Sequence, residues 1–162
     1  MPDPFRQLDD YPVCRGAMGI LVRLVDGIGF RFRWASEGLR EEDHAFSPGE
    51  GAMTIGELVG HVWGLAQWIA EHVAPEDASR RRPEDPATLR EEALALWLAV
   101  RERFALMGEA AFFELRIGDH PIWHIVNGPL ADTLTHVGQI AVLRRLNGNP
   151  VPSHKVFTGT VD

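Results

Sequence analysis

Near its C-terminal end the chain places a carboxylate and an imidazole four residues apart, in Asp132-Thr-Leu-Thr-His136-Val-Gly-Gln139. Residues at that spacing share one face of an α-helix, about a turn apart, so both side chains can reach a single point. A second imidazole, His61, lies in Glu57-Leu-Val-Gly-His61-Val-Trp63. Two imidazoles and a carboxylate suit zinc, nickel, iron(II) or manganese. Three protein ligands also leave coordination positions open for water or substrate, as a catalytic metal requires. The set exists only if two helices bring His61 to Asp132 and His136, which is how helix bundles build metal sites.

Each residue alone has a plainer reading. Asp132 in an apolar helix is costly unless paired or bound to metal, and an ion pair with an arginine of another helix would satisfy it. His61 would be a hydrogen-bonded core histidine. Gly128, one turn before Asp132, removes bulk and leaves room for a bound molecule or another helix. Gln139, nearly a turn beyond His136, is placed to orient a ligand or substrate. Trp63, two residues after His61, is expected to line the pocket wall. Glu57 is better used as a helix cap. His120 and His124 would lie about 18 to 24 Å from His136 on a straight helix, at a pocket mouth or on the surface. His44, His72 and His154 have no partner at ligand spacing. Cys14, beside Arg15, reads as a small apolar residue rather than a nucleophile. No Gly-rich phosphate loop or Gly-x-Ser-x-Gly elbow is present.

Four helical segments must position these residues. The first spans about Pro12 to Gly38, with Met18, Leu21, Val22, Val25, Ile28 and Phe32 as its stripe. Its four glycines either kink it or admit another helix closely. Arg40–Met53 is acidic and rich in breakers, so it reads as a loop. Thr54-Ile-Gly-Glu57 has the form of a capping box and opens the second helix, whose stripe Leu58, His61, Val62, Leu65, Trp68 and Ile69 runs to about Val73. Asp85-Pro86 caps the third, which carries Leu89, Ala93, Leu96, Trp97, Val100 and Phe104. Phe112, Phe113, Leu115 and Ile117 suggest a short extended stretch. The fourth helical region begins at Asp119 and Pro121 and ends at Gly148, with a kink or a fresh start at Pro129. It is apolar nearly all round, so one face is left to meet something, most simply a second copy of the chain.

The expected class is all-α: one domain, residues 1–162, in a four-helix bundle with a short extended segment between helices three and four. The single cysteine excludes an intrachain disulfide and a cysteine-based zinc site. Met1-Pro-Asp-Pro4 lacks the basic start and apolar stretch of a secretory leader, and no apolar run is long enough to span a bilayer, so a cytoplasmic protein is expected. A net charge of −7 argues against nucleic-acid binding over a broad basic surface. Arg80-Arg81-Arg82, hemmed by Glu76, Asp77, Glu84 and Asp85, reads as a solvated loop.

The run His136-Val-Gly-Gln139-Ile-Ala-Val-Leu-Arg144-Arg145-Leu-Asn-Gly148-Asn-Pro150, with His61 on the second helix, resembles the DinB-like superfamily of metal-binding four-helix bundles. The likeness covers nearly the whole chain through length and helix order. It implies a divalent metal held by three side chains, and often a dimer. Typical members use three histidines; His61 and His136 match the first and last, and Asp132 stands at the middle position. Members include thiol-dependent transferases and isomerases, in which a low-molecular-weight thiol is activated at the metal. The expectation is therefore a homodimeric thiol-transferase or hydrolase acting on a small molecule, with no general base evident. The alternatives are a non-catalytic binding or structural bundle, in which Asp132 pairs with a cation and the histidines are satisfied core groups, and a binding protein that carries metal or a small ligand without turnover.

Overall fold

Hydrophobic spacing, with local side-chain caps on two of them, sets four long helices, and these carry the core. The structure is a computed structural model describing residues 4–11, 14–78 and 81–161. Pro12, where the first helix was expected to start, lies outside those residues, as does Arg80. The long helices are α1 (Gly16–Ser36), α3 (Ile55–Val73), α4 (Pro86–Leu106) and α6 (Ala131–Leu146). Two short ones, α2 (Glu41–His44) and α5 (Glu109–Glu114), interrupt the connectors. The described residues are all-α apart from a two-stranded hairpin, β1 (Arg116–Ile117) with β2 (His120–Pro121), and an isolated bridge between Lys155 and Thr160. α1 packs against α4 and α6, and α3 packs against the same two helices. One apolar core joins them, with Val22, Val25, Val62, Ile69, Trp97, Val100, Leu130 and Ile140 fully or nearly enclosed.

The caps follow the local sequence. Glu57 N–H donates to Thr54 Oγ1 (3.1 Å) and Thr54 N–H to Glu57 Oε2 (2.7 Å), completing the capping box that starts α3. Asp85 Oδ2 accepts from Thr88 N–H at 2.8 Å with Pro86 in the first turn, so α4 starts where its sequence says. α1 runs unbroken through its glycines. Gly29 has a specific use: a Cβ there would come within 2.5 Å of the Phe5 ring, so the glycine lets the N-terminal segment lie against the helix.

Two expectations change, and a third is narrowed. The loop over residues 40–53 contains α2, because Asp43 at its third position is enclosed and accepts from Arg40 N–H (2.8 Å), Arg40 Nε (3.0 Å) and Arg40 Nη2 (2.8 Å). Phe112 and Phe113 lie in α5 rather than in an extended stretch; only the hairpin after them is extended, turning at Gly118 with φ +57°. The fourth region takes the fresh start at Pro129 rather than the kink. Ile122–Ile125 is a 3-10 turn, Val126–Leu130 a wide turn, and the backbone leaves helical geometry at Gly128 (φ −88°, ψ −113°). Pro129 disfavours helical geometry at the residue before it, so α6 starts afresh after this break.

The far end of α6 is clamped. Buried Arg144 donates through Nη1 to Ala35 O (2.9 Å) and Glu37 O (2.6 Å), and through Nε to Asn149 O (2.9 Å). Asn147 and Asn149 each donate to Asp43, at 2.7 and 2.6 Å. The turn Asn147-Gly148-Asn149, with Gly148 at φ +71°, thus ties α6 to α2 and to the end of α1. Hydrogen bonds from Arg40, then from the two asparagines, hold the Asp43 carboxyl well below the usual carboxylate range.

Candidate metal centre

α3 and α6 pack side by side, and His61, Asp132 and His136 meet across that seam. One donor atom from each lies within 4.8 Å of the other two, and this is the group of three such residues found among the described residues. His61 Nε2 is 3.2 Å from Asp132 Oδ2, and His136 Nε2 is 3.3 Å from Asp132 Oδ1. The imidazole rings stand nearly perpendicular, 82° apart, with centroids at 4.5 Å. Metal–ligand bonds of about 2.1 Å separate neighbouring donors by about 3.0–3.4 Å, and each imidazole lies at such a spacing from one oxygen of the carboxylate, His61 from Oδ2 and His136 from Oδ1.

The chain fixes each donor differently. Asp132 lies in the first turn of α6, where the helix's positive end favours a carboxylate. Its side chain is 46% exposed, so it is not buried in an apolar helix as its neighbours suggested. His136 is more enclosed, at 16%. Its Nδ1–H donates to Gln139 Oε1 at 2.8 Å. In a neutral ring that bond keeps the proton on Nδ1 and leaves the Nε2 lone pair facing Asp132. Lone pair and carboxylate at 3.3 Å repel unless a proton or a cation lies between them. The donor set therefore fits a divalent cation, and it equally fits an imidazolium.

α3 buries Ile55, Leu58, Val59, Val62, Trp63, Ala66, Ile69, Ala70 and Val73, and turns His61, Gly64, Leu65 and Trp68 to a cleft. His61 is accordingly 39% exposed, not enclosed with the apolar stripe. Trp63 is buried in the core and lines no cavity with His61. Two residues of helix turn it about 200° from His61, which places it on the opposite side. Trp68, legible in the sequence only as one member of the apolar stripe, takes the expected wall position; its signal was the spacing of seven, two turns beyond His61.

The centre lies between two cavities. His61 and Asp132 border one of about 650 Å³, which Leu65, Trp68 and Gly128 also line. A Cβ on Gly128 would meet nothing within 4 Å, so this position is open. His136 and Gln139 border another of about 540 Å³, walled by Met53, Leu58, Val142 and Leu143. His120 and His124 are exposed, with rings 5.9 Å apart, and belong to no group of three among the described residues. His72 Nδ1–H donates to Trp68 O at 2.7 Å, and His154 Nδ1–H to Pro152 O at 2.8 Å, so both serve local structure.

No protein-family model, curated protein or solved structure matches the chain. No helix among the described residues is long and apolar enough to cross a membrane.

Proposed function

We propose that the protein is a divalent-metal-dependent enzyme of the thiol-transferase or hydrolase type, built on a DinB-like four-helix bundle and acting on a small molecule in the cytoplasm. The observation that carries this reading is the meeting of His61, Asp132 and His136, with Gln139 holding the His136 ring in the ligating tautomer. The four long helices, with α3 and α6 supplying every donor, support the bundle assignment. A metal held there would supply Lewis acidity that lowers the pKa of a thiol or water. His61, Asp132 and His136 hold the ion, and the carboxylate offsets part of its charge. Gln139 orients His136. Met53, Leu58, Val142 and Leu143 give one flank of the centre an apolar wall, while the cleft at Trp68 and Gly128 admits a second reactant from the other.

A second reading is favoured by the same distances. Asp132 already lies within reach of both imidazoles, so a proton-bridged, non-catalytic His–Asp–His cluster satisfies all three side chains. Metal analysis separates the two. Purified protein is expected to take up about one zinc or nickel ion per chain, and His136→Ala to abolish uptake while circular dichroism stays helical. Uptake that is absent, or unchanged in His136→Ala, would establish the second reading. The loaded protein is further expected to speed transfer of a small thiol to an electrophilic substrate. That rate should fall on chelation and in Asp132→Ala, with occupancy measured beside it. No rate above free metal with several thiols would leave a metal-binding module without turnover.

A further inference from the structure

The protein is acidic, with 23 Asp and Glu against 16 Lys and Arg. One cleft inverts that balance. It lies between α1 and α6, on a different face of α6 from the candidate metal centre, and has a volume of about 730 Å³. Arg23, Gly27 and Arg31 line its α1 wall at intervals of four residues, so they form a single stripe. Leu134, Ala141 and Arg145 line the α6 wall, also on one face. Residues 151–156 close over the cleft. His154 pins that strap by stacking on Trp34, with ring centroids 5.9 Å apart. No carboxylate lines the cavity among the described residues.

The arginines are not engaged with acids elsewhere. Arg23 donates one Nη1 bond to Asp9 O (2.7 Å) and Arg31 one to Gly27 O (3.1 Å), both neutral carbonyls. Among the described residues, no acidic side chain pairs with Arg23, Arg31 or Arg145. A guanidinium carries five N–H donors, so each keeps most of its capacity for an anion. Between these charges the floor is apolar or bare: Leu24, Val137 and Val151, with Gly27 and Gly138 withholding side chains where the two helices face each other. Ligand sites are usually concave and mainly apolar, with a few convergent polar groups that fix orientation. This cleft has that composition, and its ionisable groups all carry or can carry positive charge.

We propose that the α1–α6 cleft binds a small amphiphilic carboxylate, with its anionic head on Arg31 and Arg145 and its apolar body along Leu24, Val137 and Val151 toward Arg23. Arg23 and Arg31 are about 12 Å apart along α1 by the helical rise, room for an extended chain between them. The argument is independent of the metal centre, since none of these residues is a proposed ligand.

Decanoate is the test ligand, titrated into the full chain by calorimetry, with decanol as its uncharged counterpart. The protein is stripped with EDTA first, because a carboxylate could otherwise bind at a metal. Decanoate is expected to bind with decanol at least about tenfold weaker. Arg31→Gln and the exposed Arg145→Gln are each expected to weaken decanoate about tenfold or more, in the range of a lost charge-assisted hydrogen bond, and to leave decanol unchanged. Ala141→Phe, which projects a ring from the α6 wall into the cleft, should weaken both ligands. Arg145→Gln keeps the test valid if Arg31→Gln misfolds. Absence of decanoate binding overturns the proposal. So does equal affinity for decanol, binding that both arginine variants retain, or binding that appears only with metal restored.

Discussion

Gln139→Leu tests the reading of the metal centre most directly. The side chain of Gln139 is exposed, so losing it should leave folding stability within about 0.5 kcal/mol, as surface changes do. What disappears is the 2.8 Å acceptor for His136 Nδ1–H. The ring is then free to carry its proton on Nε2, or to turn, and each such state removes the lone pair that faces Asp132. Losing an outer hydrogen bond to a ligating histidine costs about 10- to 100-fold in metal affinity. Because Gln139 is open to water, which replaces part of its role, the low end applies: about tenfold, or about 1.4 kcal/mol. The assay is competition for zinc against a chelating dye, comparing Gln139→Leu with the parent and with Gln139→Glu. Glutamate restores an acceptor, and a charged one, so its affinity should equal or exceed the parent's. A leucine variant that binds zinc as tightly as the parent would refute the reasoning. So would equal losses in the leucine and glutamate variants, because then the acceptor itself would be irrelevant.

Two other outcomes follow from the packing. Asp43→Asn removes a fully enclosed charge that Arg40, Asn147 and Asn149 all address, and should cost about 3 kcal/mol of stability, the scale of a broken buried pair. That corresponds to a drop in Tm of about 6–12 °C for a chain of this size. The native Asp43 pKa is depressed, so its contribution is complete above about pH 4 and lost as pH falls toward the native value. The gap between parent and variant should therefore shrink in acid; a gap independent of pH would contradict the assignment. α6 leaves Val142 56% and Leu146 63% exposed, and Ile20 of α1 is exposed as well; a second copy of the chain is the expected cover for these surfaces. Light scattering should report about 36 kDa, twice the chain mass of 18.1 kDa, and Leu146→Glu should halve it; a monomer at all concentrations would exclude the dimer.

Local features were legible in the sequence, and features that depend on the meeting of distant segments were not. Thr54 with Glu57, and Asp85 with Pro86, act within one turn, so their caps stand where the sequence put them. Asp132 and His136 share a face by spacing alone, and Gln139 reaches His136 for the same reason. The orientation of α3 was harder, since most of its surface is apolar and two stripes compete; packing against both α4 and α6 buries Val59, Trp63 and Ala66 and leaves His61 at a cleft. α2 rests on the local Arg40–Asp43 bonds together with those that Asp43 accepts from Asn147 and Asn149 at the other end of the chain, and no local pattern records the second set. The arginines of the α1–α6 cleft were invisible for the same reason: Arg23 and Arg31 look like solvated charges until Arg145 and residues 151–156 close around them.

The two ends of α6 are held very differently, and this has mechanical consequences. Its last turn is locked by Arg144, Asn147 and Asn149, while its first turn follows the break at Gly128. α6 is therefore fixed at its last turn by directional hydrogen bonds and at its first by packing, with Leu130 and Thr133 fully buried. Asp132 is the residue that contacts both imidazoles. Binding at the centre would thus add a directional tie between the first turn of α6 and α3, at an end that packing now holds.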